Sequence, residues 1–210
     1  MGQSICIEML QFRKKSATFF WTGLSTRSNM DEKALVSRII AGDRRAFSQL
    51  ISQYQRLVGH IVFRMVDHTM DREEIAQDVF VKVFHRINDF QFQSKLSTWI
   101  ATIAYRHTLN FLKRNKKWQG HKELNEDLDI ALEESTYEVQ DQAAFVRKAV
   151  EQLPLPYRTV LTLYHLDGFS YPEIVDIMEM PEGTVKNYLF RARKKMKTLL
   201  EPFLEKEVLI

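Results

Sequence analysis

Cysteine is almost missing from this chain: Cys6 stands alone among 210 residues. One cysteine makes no internal disulfide and removes zinc sites built on cysteine. A chain of this size without a disulfide suits a reducing compartment, so the expected location is cytoplasmic. Long apolar runs are missing as well. No stretch of about 18 uninterrupted apolar residues is present to cross a bilayer, so direct membrane insertion is not expected. There is no glycine-rich phosphate loop and no nucleophile elbow, and the six histidines show no close pairing. Glu73, Glu74 and Asp78 are carboxylates near one another, but a solvated or partner-binding helix face accounts for them better than catalysis does. The expectation is therefore a protein that is not an enzyme and uses no metal and no cofactor.

What is present is a globular composition, 45% hydrophobic and 27% charged, long enough for one ordinary domain or two small ones. The net charge of +3 says little, whereas its distribution says a good deal. From Phe90 to Lys122 there are seven Lys or Arg and no acid. From Glu123 to Asp141 there are eight acids and no Lys or Arg, and from Gly183 to Leu200 six basic residues and no acid. Two basic blocks thus flank an acidic connector.

The first thirty residues show no sustained helical period. Their apolar run after Lys14 and Lys15 is broken by Thr22 and lacks a small-residue cleavage site, which argues against a signal peptide. They are read as a leader, disordered or belonging to a misassigned start, with Met30 as an alternative initiator. From Asp31 the period is helical, with Leu35, Ile39 and Ile40 on one face until Gly42 stops the helix and Asp43 caps the next. That next helix carries an apolar stripe from Phe47 to Met65 at three and four residue spacing. A third helix opens with Asp71 and Glu74 in capping-box spacing and is expected to bury Ile75, Val79, Phe80, Val83, Phe84 and Ile87. Its other face holds Glu74, Asp78, Val81 and His85, either a solvated acidic face with one stray valine or a partner surface.

A fourth helix, from about Ser97 to Lys116, turns Ile100, Ile103, Ala104, Phe111 and Leu112 inward. It sets Thr102, Arg106, Asn110, Lys113 and Lys117 along one polar stripe. Before it, Phe90, Phe92 and Trp99 lie among polar residues and Lys95, which suits either stacking on unpaired bases or burial in the core. The acidic stretch is read as a flexible linker. Helices resume near Ala143, break at Pro154 and Pro156, and restart at Tyr157 with Val160, Leu161, Tyr164 and Leu166 buried up to Gly168.

Ser170 to Glu173 then forms a capping box with Pro172 in the first turn, and Ile174, Ile177 and Met178 give a short apolar face. After "EMPEG" a helix from about Thr184 sets Val185, Leu189, Ala192 and Met196 inward and Lys186, Asn187, Arg191, Lys194 and Lys195 outward. A short helix, a tight turn and a basic helix make a helix-turn-helix, whose second helix enters the major groove of DNA. The fold class expected is all-α, as two small helical domains joined by an acidic linker.

Three stretches in order, "DREEIAQDVFVKVF", "KLSTWIATIAYRHTLNFLKR" and "LPLPYRTVLTLYHLDGFSYPEIVDIMEMPEGTVKNYLFRAR", resemble the extracytoplasmic-function, or group IV, sigma factors of the sigma-70 family of bacterial RNA polymerase. The resemblance covers about Asp31 to Glu201. It implies sigma region 2 over residues 31–118, the acidic linker over 119–142, and sigma region 4 over 143–203. By the same resemblance, Glu74, Gln77, Asp78, Val81 and His85 would bind core RNA polymerase, on the clamp coiled coil of its largest subunit. Phe92, Ser94, Lys95, Trp99, Thr102, Arg106, Asn110, Lys113 and Arg114 would take the non-template single strand of the -10 element. Ser170, Thr184, Lys186, Asn187, Arg191, Lys194 and Lys195 would read the -35 element as duplex. The linker would thread toward the RNA exit path, and an anti-sigma factor is an implied partner.

Two positions depart from the family pattern. Val175 stands where alanine is usual against the partner helix, and Pro181 where a capping serine is frequent. The competing expectation is a repressor or activator that binds duplex DNA without polymerase. Such a protein needs a dimerisation surface and melts no DNA, whereas this chain has a basic, aromatic block separate from its helix-turn-helix.

Overall fold

Gly42 and Asp43 set the geometry of the N-terminal unit. In the computed structural model, which describes residues 27–118 and 142–207, helix α1 spans Arg27–Ile40 and α2 spans Arg44–Met65. Gly42 takes φ 87°, a left-handed value that costs glycine little, and its N–H bonds the Ile39 carbonyl at 2.9 Å. Asp43 then accepts from the Arg45 and Ala46 N–H groups at 2.8 and 3.2 Å. The Arg38 guanidinium, 2.6 Å away, and those amides hold its carboxyl below the usual range. Helix α1 begins at Arg27, ahead of the start expected at Asp31; the earlier part of the expected leader lies outside the described residues.

Helix α3 spans Thr69–Arg86, a single 3-10 turn covers Ile87–Asp89, and α4 spans Leu96–Trp118. The stripe on α2 is buried at Leu50, Tyr54, Val58, Ile61, Val62 and Met65, and packs on α1, α3 and α4. Two expectations for α3 are corrected. Its cap position is His68, which makes no side-chain cap bond, so Asp71 and Glu74 lie inside the helix and not at its cap. The entry is fixed instead by Arg72, whose Nε donates to the Val66 carbonyl at 2.6 Å. Phe84, expected in the core, is 48% exposed. Ile75, Val79 and Val83 form the buried line at four-residue spacing, and Phe84 falls one position round the helix, edge-on to Phe47 at 4.9 Å.

The C-terminal unit holds α5 (Gln142–Glu151), α6 (Leu155–His165), α7 (Tyr171–Met178) and α8 (Glu182–Glu207). Pro154 precedes α6 and Pro156 lies in its first turn, so the helix starts before Tyr157. Leu166, expected to be buried, is 57% exposed, because the chain leaves the helix there and Phe169 takes the buried place after the turn at Gly168. Ile174, Ile177 and Met178 of α7 pack against Val185, Leu189, Ala192 and Met196 of α8 in one core. No strand occurs among the described residues.

The two units also pack on each other, α4 on α7 and α2 on α6. His60 Nδ1 lies 2.8 Å from Asp167 Oδ1, Arg64 lies 3.7 Å from Glu151, and Arg158 lies 3.9 Å from Asp67. The acidic connector expected over 119–142 falls outside the described residues, apart from Gln142 at the start of α5.

Candidate nucleic-acid interface

Helical spacing puts Glu74, Gln77, Asp78, Val81 and His85 on one side of α3, and all five are exposed. Val81 is 53% exposed, and Phe84 beside it adds a second apolar side chain among the charges. The sequence pattern missed Phe84 because it counted every aromatic of α3 as core. Asp78 reaches across to α4, where its Oδ2 lies 3.4 Å from His107 Nε2. Burial and the Lys82 charge push the His107 imidazole below its ordinary value, against the pull of Asp78. Glu74 and Asp78 share a cleft of about 130 Å³ with Asn110 and Arg114, so the acidic face of α3 adjoins the far end of the α4 stripe.

Along α4, Arg106, Asn110, Lys113 and Arg114 are exposed, while Thr102 is half-buried and donates its hydroxyl to the Thr98 carbonyl at 2.8 Å. The three aromatics before and at the start of the stripe divide. Phe90 is buried, and Trp99 packs on it at 5.3 Å with part of its ring open. Phe92 is displayed, in a left-handed backbone at φ 57° that a bulky residue seldom adopts, with the Lys33 ammonium 5.6 Å from its ring. Ser94 and Lys95 are exposed in the same loop. A cleft of about 780 Å³ runs beside these residues, with Lys82, Arg86, Ser94, Trp99 and Arg106 on one wall and Asp176 and Glu179 on the other.

The helix-turn-helix forms as its sequence requires. The Glu173 carboxylate accepts the Ser170 N–H at 2.9 Å and the Ser170 hydroxyl at 2.7 Å. Burial alone would raise Glu173, but the Ser170 hydrogen bonds and the Lys95 ammonium outweigh it and hold the carboxyl below its ordinary value. Glu179 ends α7 at φ 53°, and the Pro181 carbonyl starts α8 by accepting from Thr184 N–H at 2.9 Å. Pro181 thus supplies a backbone acceptor where a capping side chain is absent. Lys186 pairs with Glu182 at 2.7 Å, Asn187 and Lys194 are exposed, and Thr184 and Lys195 are half-buried. Arg191 donates to the Tyr157 hydroxyl at 3.3 Å, which steadies its guanidinium beside α6.

Phe190 was not singled out from the sequence and is 67% exposed, between Lys186 and Asn187 on one side and Arg193 and Lys194 on the other. Its signal was available: the buried line of α8 is Val185, Leu189, Ala192 and Met196, and Phe190 lies one residue off it.

Known proteins carry the same two units. Residues 50–118 match the family model for sigma-70 region 2, and residues 146–196 the model for sigma-70, region 4. The chain is 30% identical over 190 residues to the RNA polymerase sigma-H factor of Pseudomonas aeruginosa, covering 82% of this chain and 95% of that one. It is 30% identical over 191 residues to the ECF RNA polymerase sigma-E factor of Haemophilus influenzae, covering 83% and 98%. The chain belongs to the extracytoplasmic-function sigma factors. A sigma factor directs promoter-specific transcription initiation by RNA polymerase, and this one does so with regions 2 and 4. The solved structure of a sigma factor, RpoE, in complex with the anti-sigma factor NepR from Bartonella quintana shares its fold. The TM-score is 0.60 at 22% identity, over 74% of this chain and 96% of that one.

Within the sigma factor, the candidate residues fall into two neighbourhoods. The α3 face and the α4 stripe meet through Asp78 and His107, whereas the α8 residues stand on a helix that packs chiefly on α5, α6 and α7. Among the described residues, no group of three or more His, Cys, Asp or Glu is placed to hold a metal ion. No described helix is long and apolar enough to cross a membrane.

Proposed function

We propose that the sigma factor divides its work among three surfaces. Glu74, Gln77, Asp78, Val81 and His85 on α3 dock on the clamp coiled coil of the polymerase's largest subunit, with Val81 and Phe84 as the apolar centre of the contact. Phe92, Ser94, Lys95, Trp99, Thr102, Arg106, Asn110, Lys113 and Arg114 take the non-template strand at the -10 element. There an aromatic displayed beside cations suits a splayed base and its phosphates. Ser170, Thr184, Lys186, Asn187, Arg191, Lys194 and Lys195 read the -35 duplex, the early residues of α8 at base edges and the later cations at phosphates. Phe190 joins them through apolar contact with a thymine methyl.

The observation that carries this reading is the presence of two cationic surfaces, one on α4 beside exposed Phe92 and one on α8, the second helix of the helix-turn-helix, with an acid-and-valine face on α3. A duplex-binding repressor has use for the second surface alone. The proposed units run over 31–118 and 143–203, joined by residues 119–142. The protein performs no chemistry itself, works in the cytoplasm at a stress or signal regulon, and is held in check by an anti-sigma factor. Lys186→Ala together with Arg191→Ala tests the assignment of α8. With core polymerase and a promoter this protein uses, run-off transcription should fall at least tenfold while core binding is kept; unchanged transcription would mean the reading helix lies elsewhere.

A further inference from the structure

Helix α7 and its C-cap residue turn acids toward the α4 stripe and the loop before it, and two of them sit on cations there. Glu173 Oε1 lies 3.0 Å from Lys95 Nζ and accepts the Thr98 hydroxyl at 3.4 Å. Arg106 Nη2 pairs with Glu179, and Asp176 lines the cleft between the two contacts. A nucleic-acid strand presents the same chemistry to the same residues: anionic oxygens for Lys95 and Arg106, and an acceptor for a threonine hydroxyl. A second contact zone, α2 on α6 with the buried Asp167 held by His60, sets the two regions in this register.

We infer that α7 is an internal stand-in for nucleic acid: in the free protein Glu173 and Glu179 occupy the stripe, and a strand gains it only by displacing region 4. The inference rests on the reading of the α4 stripe as the strand site. Distance demands the same displacement. The -10 and -35 elements are separated by about 25 base pairs, roughly 80 Å of duplex, whereas α4 and α7 are in contact in the closed molecule. The closed form therefore cannot engage both elements. The latch is also of a strength that a strand can overcome. The Arg106–Glu179 pair is largely open to solvent, its side chains 46% and 62% exposed, and such a pair contributes little and weakens with salt; in the other pair the Lys95 ammonium is exposed while Glu173 beneath it is only 19% exposed.

The test uses the full chain with Cys6→Ser and a dye pair at the exposed positions Gln55→Cys on α2 and Thr198→Cys on α8. The latch variant is Glu173→Gln with Glu179→Gln, in which glutamine keeps the capping box because its side chain still accepts the Ser170 N–H. Glu73→Gln with Glu201→Gln removes the same charge from exposed positions away from the contact. Energy transfer reports closure, and fluorescence anisotropy reports binding of the single strand dT20 without polymerase. The latch variant should lose transfer and bind dT20 at least fivefold more tightly than the charge-matched variant. Transfer equal to the parent's with affinity equal to the charge-matched variant's would overturn the latch, as would a parent already open. A latch variant that opens but binds dT20 no better than the charge-matched variant would instead overturn the reading of α4 as the strand site.

Discussion

Glu173 serves two contacts with one carboxylate: Oε2 closes the cap of α7 on Ser170, and Oε1 reaches Lys95 in region 2. Its pKa is depressed below 4.5 in the folded protein, so its contribution to stability is fully present above that value. It disappears as pH falls through the depressed value. Thermal melting of the parent and Glu173→Gln should therefore differ at pH 7 and converge once the pH has fallen below the depressed value; a gap that persists there would show that the carboxylate is not the source. Phe190 makes a separate case. It is 67% exposed, so Phe190→Ala should leave the melting temperature within a degree or two. If it covers one thymine methyl, its loss removes about 0.8 kcal/mol, roughly fourfold in affinity, at promoters with that thymine and nothing elsewhere. A uniform loss across sequences would make it a backbone contact. Neither residue's full role was legible from sequence. The capping box announced the bond from Glu173 to Ser170, because three-residue spacing is local, whereas its bond to Lys95 spans the two regions.

Among the elements, α2, α7 and α8 are legible in the sequence from their apolar period, since each has a wide buried face and a stop or cap beside it. Helix α3 is less legible. Its start depends on Arg72 reaching back to Val66, which no capping rule contains, and its two outward apolar residues sit close to the buried line. That outward pair supplies the sharpest test of α3. Asp78→Arg would also disturb His107, so Val81→Lys is the cleaner change at a 53% exposed site. It should weaken binding to core polymerase at least tenfold with the melting temperature unchanged; unaltered binding would remove α3 as the docking face. For α7, Ile177 is fully buried against α8, and Ile177→Ala should cost about 2–5 kcal/mol in chemical unfolding of the protein. A smaller loss would mean that the helix-turn-helix core relaxes around the cavity.

At the scale of the whole molecule, the two basic blocks visible in the sequence, the surfaces proposed for nucleic acid, lie largely on helices, α4 and α8. Composition does not say which acids the molecule sets against them. His60 and Asp167 stand 107 residues apart and meet at 2.8 Å, a pairing fixed by how α2 settles on α6 and by no local pattern. Burial pushes the Asp167 carboxyl above its ordinary value, His60 offsets this only in part, and the pair lies at the interface between regions. The sequence separates regions 2 and 4; the fold brings them together. Their joint action on a promoter is the central claim, and transcription of fragmented host DNA by core polymerase with this protein, with sequencing of RNA 5′ ends, tests it most directly. Discrete starts that share two upstream motifs at a fixed spacing are the predicted result, lost when core is used alone. No starts with folded protein and active core, or starts that share no upstream motif, would contradict it.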